Sequence, residues 1–154
     1  LSAIITHCSN NYGPNQFREK LIPLCVNKAI NNQPLPIYGD GSNIRDWLHV
    51  DDHCEALRVI LKRGIIGEIY NIGGENEITN IALVKMICKV LDELKPKKNG
   101  VSYLKQIKHV KDRLGHDFRY SVNISKIKSE LNWYPKKEFM EGLKNTISWC
   151  LFNQ

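Results

Sequence analysis

Residues that can bind a sugar or a phosphate group lie close together near the start of the sequence. Segment 8–14 carries two adjacent amides, Asn10 and Asn11, and each can donate and accept hydrogen bonds at once. Lys20 follows and provides a point charge suited to a phosphate. The alternative is that the two amides, with Gly13 and Pro14, only form a tight turn. Residue types alone leave both interpretations open.

Two catalytic signatures are missing from the sequence. Gly39 and Gly41 begin like a dinucleotide-binding fingerprint, but Ile44 stands where the third glycine belongs and segment 45–47 does not open a helix. None of the six tyrosines is followed four residues later by lysine, the spacing of a helical proton-relay pair. We therefore expect neither a nicotinamide loop nor catalytic residues in this chain.

A metal site is not expected either. His49 and His53 are four residues apart, but a helix beginning at Asp51 would leave His49 outside it. The five cysteines are odd in number and form no C-x-x-C pair, which fits reduced thiols rather than disulfides or a zinc ribbon.

Composition predicts a globular chain with no membrane segment, and we expect it in the cytoplasm. Of its 154 residues 42% are apolar and 25% are charged, and no apolar run reaches the length of a membrane span. The net charge of +6 is concentrated in segment 95–119, with eight Lys or Arg against two Asp. This segment is either a solvated face or a phosphate-neutralising one, since no nucleic-acid-binding motif accompanies it. Leu1 opens a strand-like segment, so we expect a fragment.

Helical and strand-like patterns alternate along the chain, which predicts an α/β fold with a mixed sheet. Predicted strands cover 3–6, Leu35–Tyr38, 47–50, 68–72, Ile107–Val110 and 120–123. The first of them is predicted to be buried and to be ended by a polar turn at 9–14. Predicted helices begin near Ile22, at an Asp51 cap, at a Thr79 or Asn80 cap, at Ser125 and near Phe139. The last helix places Phe139, Leu143, Ile147 and Cys150 on one face.

Six short motifs then occur in a fixed order. They are S-N-N-Y-G-P at 9–14, E-K-L-I-P at 19–23, P-L-P-I-Y-G at 34–39, R-D-W at 45–47, Y-N-I-G-G at 70–74 and D-R-L-G-H-D at 112–117. Together they resemble the dTDP-glucose 4,6-dehydratases, members of the extended short-chain dehydrogenase/reductase family, over essentially the whole chain. Related UDP-sugar epimerases and decarboxylases share the first and fourth motifs, whereas the Gly115-His116-Asp117 element favours the dehydratases.

The resemblance implies a role for each matching residue. It assigns Asn10 to the sugar nucleotide and Asn11 to NAD. It places Lys20 and Leu21 at the diphosphate, with Arg45 and Asn80 also at the anion, the latter through its side chain and the helix amino end. It implies that the thymine is bracketed by Pro36, Ile37 and Tyr38. A segment closing over the nucleotide is formed by Asp112, Arg113, Leu114, Gly115 and His116, where Leu114 replaces the usual proline.

The resemblance also implies the fold and the reaction. Residues 1–154 would be the carboxy-terminal, sugar-nucleotide-binding part of an extended Rossmann-type enzyme, comprising its last parallel strands and a small mixed α/β substrate-binding domain. The NAD-binding half, the catalytic groups and the homodimer helices would lie upstream. The complete enzyme would use NAD to convert dTDP-glucose into dTDP-4-keto-6-deoxyglucose and water, in deoxysugar and lipopolysaccharide biosynthesis. The alternatives are a UDP-sugar epimerase or decarboxylase, and a sugar-nucleotide-binding module without catalysis.

Overall fold

Short strands and longer helices alternate along the chain, as predicted for an α/β fold. The computed structural model describes residues 1–153. Its strands are β1 (Ile5–Cys8), β2 (Asn10–Tyr12), β3 (Leu35–Tyr38), β4 (Ile44–His49), β5 (Ile69–Ile72), β6 (Glu77–Thr79), β7 (Ile107–Val110) and β8 (Arg119–Tyr120). Its α-helices are α1 (Leu21–Ile30), α2 (Val50–Arg63), α3 (Asn80–Leu94), α4 (Ser125–Leu131) and α5 (Phe139–Phe152), and Tyr103–Gln106 forms a 3-10 helix.

The strands pair mostly in parallel. β1 pairs with β5, β2 and β8 pair with β4, and β3 pairs with β7, all in parallel, while β6 runs antiparallel to β4. This mixture of parallel and antiparallel pairing confirms the predicted fold class.

Strand β4 separates two hydrophobic cores. Successive side chains of a strand point to opposite faces. Trp47 therefore packs in a core formed mainly by α1, α3 and α5, whereas Leu48 packs in a second core formed by α2, α4 and β5. Arg45, two residues before Trp47, lies on the same face of this strand and is half-buried.

Helix faces follow the predicted spacing. The four residues predicted on one face of α5 are all buried: Phe139, Leu143, Ile147 and Cys150. α3 begins as predicted, since the Thr79 hydroxyl accepts a hydrogen bond from the Ala82 amide at 3.3 Å.

The first strand lies later in the chain than predicted and is less buried. β1 starts at Ile5 rather than residue 3, because its ladder runs from the Ile5–Ile69 pair to the Cys8–Ile72 pair. Ile5 is 51% exposed and His7 is also exposed, so the prediction of a buried strand is wrong for that face. The predicted turn after it is also wrong in part, because 10–12 pair with 47–49 as β2. Pairing with a neighbouring strand here outweighs the low strand propensity of asparagine.

The start of α2 also differs from the prediction. The helix begins at Val50 and its cap lies two residues before the predicted one, because the buried His49 ring accepts a hydrogen bond from the Asp51 amide through Nδ1 at 3.2 Å. His49 is thus the cap instead of Asp51. β6 was not predicted, since three residues are too few to show a strand period, and the predicted strand 120–123 shortens to β8.

A buried carboxylate joins β4 to the glycine segment after β5. Asp46 is 1% exposed, and its carboxylate accepts hydrogen bonds from the amides of Gly74 at 2.8 Å and Asn76 at 2.7 Å. A Cβ atom on Gly74 would collide with the carbonyl of Trp47, which is why glycine is needed at this close approach. The segment is therefore fixed against the strand that carries Arg45.

Within residues 1–153, no helix combines the length and apolar character required to cross a membrane.

Candidate functional site

A cavity of about 670 Å³ opens where β2, β3, β4, the start of α1 and the start of α3 meet. Nine of the fourteen residues singled out in the sequence line it: Asn10, Asn11, Lys20, Leu21, Tyr38, Arg45, Asn80, Arg113 and His116. They are spread over more than a hundred positions of sequence, from Asn10 to His116, and the fold gathers them at one site.

The cavity is positively charged. Lys20, Arg45 and Arg113 line it, and within residues 1–153 none of them has a carboxylate within 4.0 Å. Glu19 is the carboxylate that lines it alongside them, and it forms no such ion pair either. Three cations without a partner are suited to a ligand that carries two phosphates.

Backbone carbonyls orient the Arg45 side chain. Its Nη1 donates to the carbonyl of Ile44 at 2.7 Å and its Nη2 donates to the carbonyl of Asp117 at 2.9 Å. The Asn43 amide donates to the same Asp117 carbonyl at 3.2 Å. A guanidinium has five N–H groups, so Arg45 keeps donors for a ligand while its direction is fixed.

Residues 112–116 form a compact cluster above Tyr38. The Asp112 carboxylate accepts hydrogen bonds from the Arg113 amide at 2.8 Å and from His116 Nδ1 at 2.8 Å. The hydrogen bond from His116 lowers the pKa of the Asp112 carboxyl, which keeps it ionised and acting as acceptor. The Arg113 guanidinium lies 5.7 Å from the Tyr38 ring centre, and the His116 ring meets Tyr38 edge-on at 6.4 Å.

Five of the predicted residues do not line the cavity. Asp112 acts through His116, as described above. The Leu114 side chain is fully exposed and Gly115 has a positive φ of 69°, so these two form the turn between Arg113 and His116. Ile37 is 2% exposed and packs in the core, so only its backbone can face a ligand. Pro36 is half-buried and shares a face of β3 with Tyr38, but it does not line the cavity.

Asn80 offers its side chain but not the helix amino end. Its backbone amide donates to the carbonyl of Asn43 at 2.9 Å, and the Ile81 amide donates to the carbonyl of Gly41 at 3.1 Å. The third amide, of Ala82, binds Thr79. The first amides of α3 are therefore taken up within the protein, contrary to the expectation that they would meet an anion.

The two adjacent asparagines are held differently. Asn11 donates to the carbonyl of Ser9 at 3.1 Å, its Oδ1 lies 2.7 Å from His53 Nδ1, and its own carbonyl accepts from Gln16 at 2.6 Å. Asn10 lines the cavity, and no hydrogen bond of its side chain occurs within residues 1–153. His53 thus binds Asn11, and the part of the chain described here holds no group of three or more His, Cys, Asp or Glu placed to bind a metal.

Sequence reasoning missed several residues of the site. The cavity is also lined by Gln16, Phe17, Glu19, Leu24 and Trp47. Of these, Glu19 and Trp47 belong to motifs already recognised, so the motif boundaries could have indicated them. The sequence pattern around His53 indicates at most a metal ligand, and its contact with Asn11 spans 42 positions that no local pattern connects.

Comparisons with known proteins identify the family to which this chain is similar. The family model described as GDP-mannose 4,6 dehydratase matches residues 1–146. A dTDP-glucose 4,6-dehydratase from Xanthomonas campestris pv. campestris is 51% identical over 154 residues, which cover all of this chain and 44% of that protein.

Solved structures match equally well. The dTDP-glucose 4,6-dehydratase of Bacillus anthracis, solved with NAD, is 49% identical with a TM-score of 0.86, over 98% of this chain and 45% of that one. The enzyme DesIV of Streptomyces venezuelae, a dTDP-glucose 4,6-dehydratase solved with NAD and a second ligand, is 44% identical with a TM-score of 0.89, over 99% and 45%.

These matches confirm the resemblance drawn from the six motifs and the Rossmann-type fold. The chain spans less than half of the length of the relatives it matches. Because the family model covers nearly all of it, the chain belongs to the GDP-mannose 4,6 dehydratase family.

Proposed function

We propose that residues 1–154 are the carboxy-terminal, sugar-nucleotide-binding part of a dTDP-glucose 4,6-dehydratase. In this proposal the chain supplies the last Rossmann-type strands and the substrate domain, and an NAD-binding half completes the enzyme. The names of the relatives and the share of them that the chain spans both support it. The reaction would convert dTDP-glucose into dTDP-4-keto-6-deoxyglucose and water.

The observation that carries the proposal is the set of cations without carboxylate partners in the cavity. Lys20, Arg45 and Arg113 come from three separate segments and line the same space of about 670 Å³. Burying a diphosphate there would give each cation the partner that the protein does not provide. Tyr38, 45% exposed, would contact the thymine, and Asn10 would contact the sugar.

The cofactor would meet this chain at Asn11. The Asn11 amide nitrogen donates to the carbonyl of Ser9, and its Oδ1 accepts one hydrogen bond, from His53. One lone pair of Oδ1 therefore stays open for a donor such as a carboxamide N–H. The residues present therefore fit one edge of NAD, which supplies hydride acceptance at sugar C4 and hydride return at C6 when bound. This chain would contribute to the reaction by orienting the sugar nucleotide and one side of the cofactor.

Substitution of Arg45 in the complete enzyme tests the proposal. Arg45→Ala should weaken dTDP binding by about 1.5 to 3 kcal/mol, since a charge-assisted contact is lost. Arg45→Lys should recover part of this, because an ammonium cannot fork across two phosphate oxygens. Arg119→Ala is the matched control, since Arg119 lies on the adjacent strand β8, binds Glu77 and does not line the cavity. Equal dTDP affinity in all four proteins, measured by calorimetry, would remove Arg45 from the site.

Competition between nucleotides tests the choice of substrate. If Tyr38 and the β3 backbone enclose thymine, its 5-methyl group finds an apolar wall, and dTDP should bind about tenfold more tightly than UDP, or ~1.4 kcal/mol. UDP binding as tightly as dTDP would favour a UDP-sugar epimerase or decarboxylase instead. Tight binding of dTDP without turnover by the complete enzyme would favour a non-catalytic module.

A further inference from the structure

A second cavity of about 280 Å³ lies away from the first and shares no lining residue with it. It is formed by the carboxy-terminal half of α2 and the turn that follows α4. Four cationic side chains line it, namely Arg58, Lys62, Arg63 and Lys136, together with Glu55 and Tyr134.

The charges of this cavity are poorly balanced. Arg58 binds the single lining carboxylate, Glu55, through two hydrogen bonds of 2.7 and 2.5 Å. Within residues 1–153, Lys62, Arg63 and Lys136 have no carboxylate within 4.0 Å. The pKa of Glu55 is lowered chiefly by its hydrogen bond from Arg58, and also by the charges of Lys136 and Lys62. Positive charges from α2 and from the segment after α4 therefore both act on the Glu55 carboxylate.

The walls of this cavity are held in place. The Arg63 guanidinium donates a hydrogen bond to the carbonyl of Leu131, which aims it toward the turn. The turn itself is anchored, because the backbone amides of Lys136 and Lys137 both donate to the Asp52 carboxylate, at 3.1 and 2.9 Å. The Lys136 ammonium lies 5.9 Å from the ring centre of Tyr134.

Helix stability explains only part of this arrangement. Lys62 and Arg63 lie in the last turn of α2, where positive charge is favourable beside the helix carboxyl end. Arg58 lies one turn earlier and Lys136 comes from another element, so the helix dipole accounts for neither. A concave site with three cations that lack carboxylate partners is suited to recognition of a small polyanion.

We propose that this second cavity binds a diphosphate group, at a site separate from the sugar-nucleotide cavity. Lys62, Arg63 and Lys136 contact the phosphate oxygens. Arg58 also contacts them, and it keeps its two hydrogen bonds to the Glu55 carboxylate. Tyr134, which is 52% exposed, offers its ring to a planar group attached to the diphosphate. The ligand is either inorganic pyrophosphate or the diphosphate of a nucleotide.

Calorimetry with inorganic pyrophosphate tests this site, using the complete enzyme with Arg45→Ala, which weakens diphosphate binding in the first cavity. This Arg45→Ala protein should bind pyrophosphate, and adding Lys62→Gln and Lys136→Gln should weaken binding about tenfold or more. The matched control adds Lys85→Gln and Lys89→Gln instead, which removes the same charge from an exposed face of α3. The control should bind pyrophosphate as the Arg45→Ala protein does.

Two results would overturn the proposal: no pyrophosphate binding, or equal weakening in the control, which would indicate bulk charge alone. An ADP titration separates the two sources of diphosphate. ADP binding tighter than pyrophosphate, with the difference abolished by Tyr134→Ala, assigns the site to a nucleotide, and equal binding assigns it to inorganic pyrophosphate. Because dTDP binding to the first cavity is measured separately with the Arg45 variants, failure of one site does not imply failure of the other.

Discussion

His53 Nδ1 lies 2.7 Å from Asn11 Oδ1 and fixes the orientation of that amide. The Asn11 nitrogen donates to the carbonyl of Ser9, so the oxygen must face His53, and His53 must donate from Nδ1. A residue of α2 outside the cavity thus determines how a cavity residue presents its remaining acceptor.

Removing the His53 donor should weaken binding of NAD, the ligand proposed to contact Asn11. His53→Leu deletes one hydrogen bond worth about 0.5 to 1.5 kcal/mol, so NAD affinity of the complete enzyme should fall roughly two- to tenfold. His7→Leu is the matched control, because His7 is exposed on β1. His53→Leu in the Asn11→Ala background should add little further loss, since His53 acts on the ligand only through Asn11. Additive losses in this cycle, measured by NAD titration, would show that His53 and Asn11 act independently.

The same histidine should make stability depend on pH. Burial lowers the pKa of His53 below its ordinary value of 6.5, and burial also lowers the pKa of His49. The unfolded chain therefore binds more protons, and the stabilisation present above about pH 6.5 is lost as pH falls toward the folded-state values. His53→Gln keeps an N–H for Asn11 but does not titrate. Its free energy of unfolding in urea should fall less steeply between pH 7 and pH 5 than that of the wild type, and parallel slopes would contradict this.

Removing the buried Asp46 carboxylate should lower the free energy of unfolding. Asp46→Ala leaves the buried amide of Gly74 and the amide of Asn76 without their acceptor, at about 1 to 3 kcal/mol for each unsatisfied group. Asp46→Asn should cost less, since one oxygen remains to accept. Urea unfolding of both variants beside Asp117→Ala measures the difference, because the Asp117 side chain is exposed and its carboxylate accepts no hydrogen bond within residues 1–153. Equal stability of Asp46→Ala and Asp117→Ala would show that the hydrogen bonds to Asp46 contribute nothing.

Sequence patterns predicted those elements whose apolar faces are long enough to show a period. α5 is an example, since Phe139, Leu143, Ile147 and Cys150 repeat over about three turns and all are buried. β2 and β6 are too short to show a period, and the pairing of β2 with 47–49 depends on residues far along the chain. The cap of α2 was predicted at Asp51 and not at His49, because histidine caps helices less often than aspartate does.

The site was predictable to the extent that its residues belong to motifs. Arg45, Tyr38 and Asn10 were found this way and line the cavity. Their orientation was not predictable, because Arg45 is aimed by the carbonyl of Asp117, which is 72 positions away. The occupied amides at the start of α3 likewise depend on the 41–43 segment folding back onto the helix.

The turn at Leu114 provides a test of how mobility affects the site. Gly115 has a φ of 69° and follows Leu114, the arrangement of a type II turn over 113–116, in which proline is favoured at the second position. Leu114 exposes its whole side chain, and its amide has no acceptor within residues 1–153. Leu114→Pro should therefore fit, stabilise the turn by about 0.4 to 1 kcal/mol, and tighten dTDP binding roughly two- to fivefold by restraining Arg113 and His116 before the ligand arrives.

Gly115→Ala provides the opposite change in the same turn. An added Cβ would meet nothing within 4 Å, so its cost comes from the positive φ alone and not from a collision. It should loosen the turn and weaken dTDP binding, whereas Gly67→Ala, at a φ of 89° in an open loop away from the cavity, should leave dTDP binding unchanged. Calorimetric titration of dTDP into the three variants of the complete enzyme measures all of these effects. Weaker binding by Leu114→Pro, or unchanged binding by both Leu114→Pro and Gly115→Ala, would show that the order of this turn does not limit nucleotide affinity.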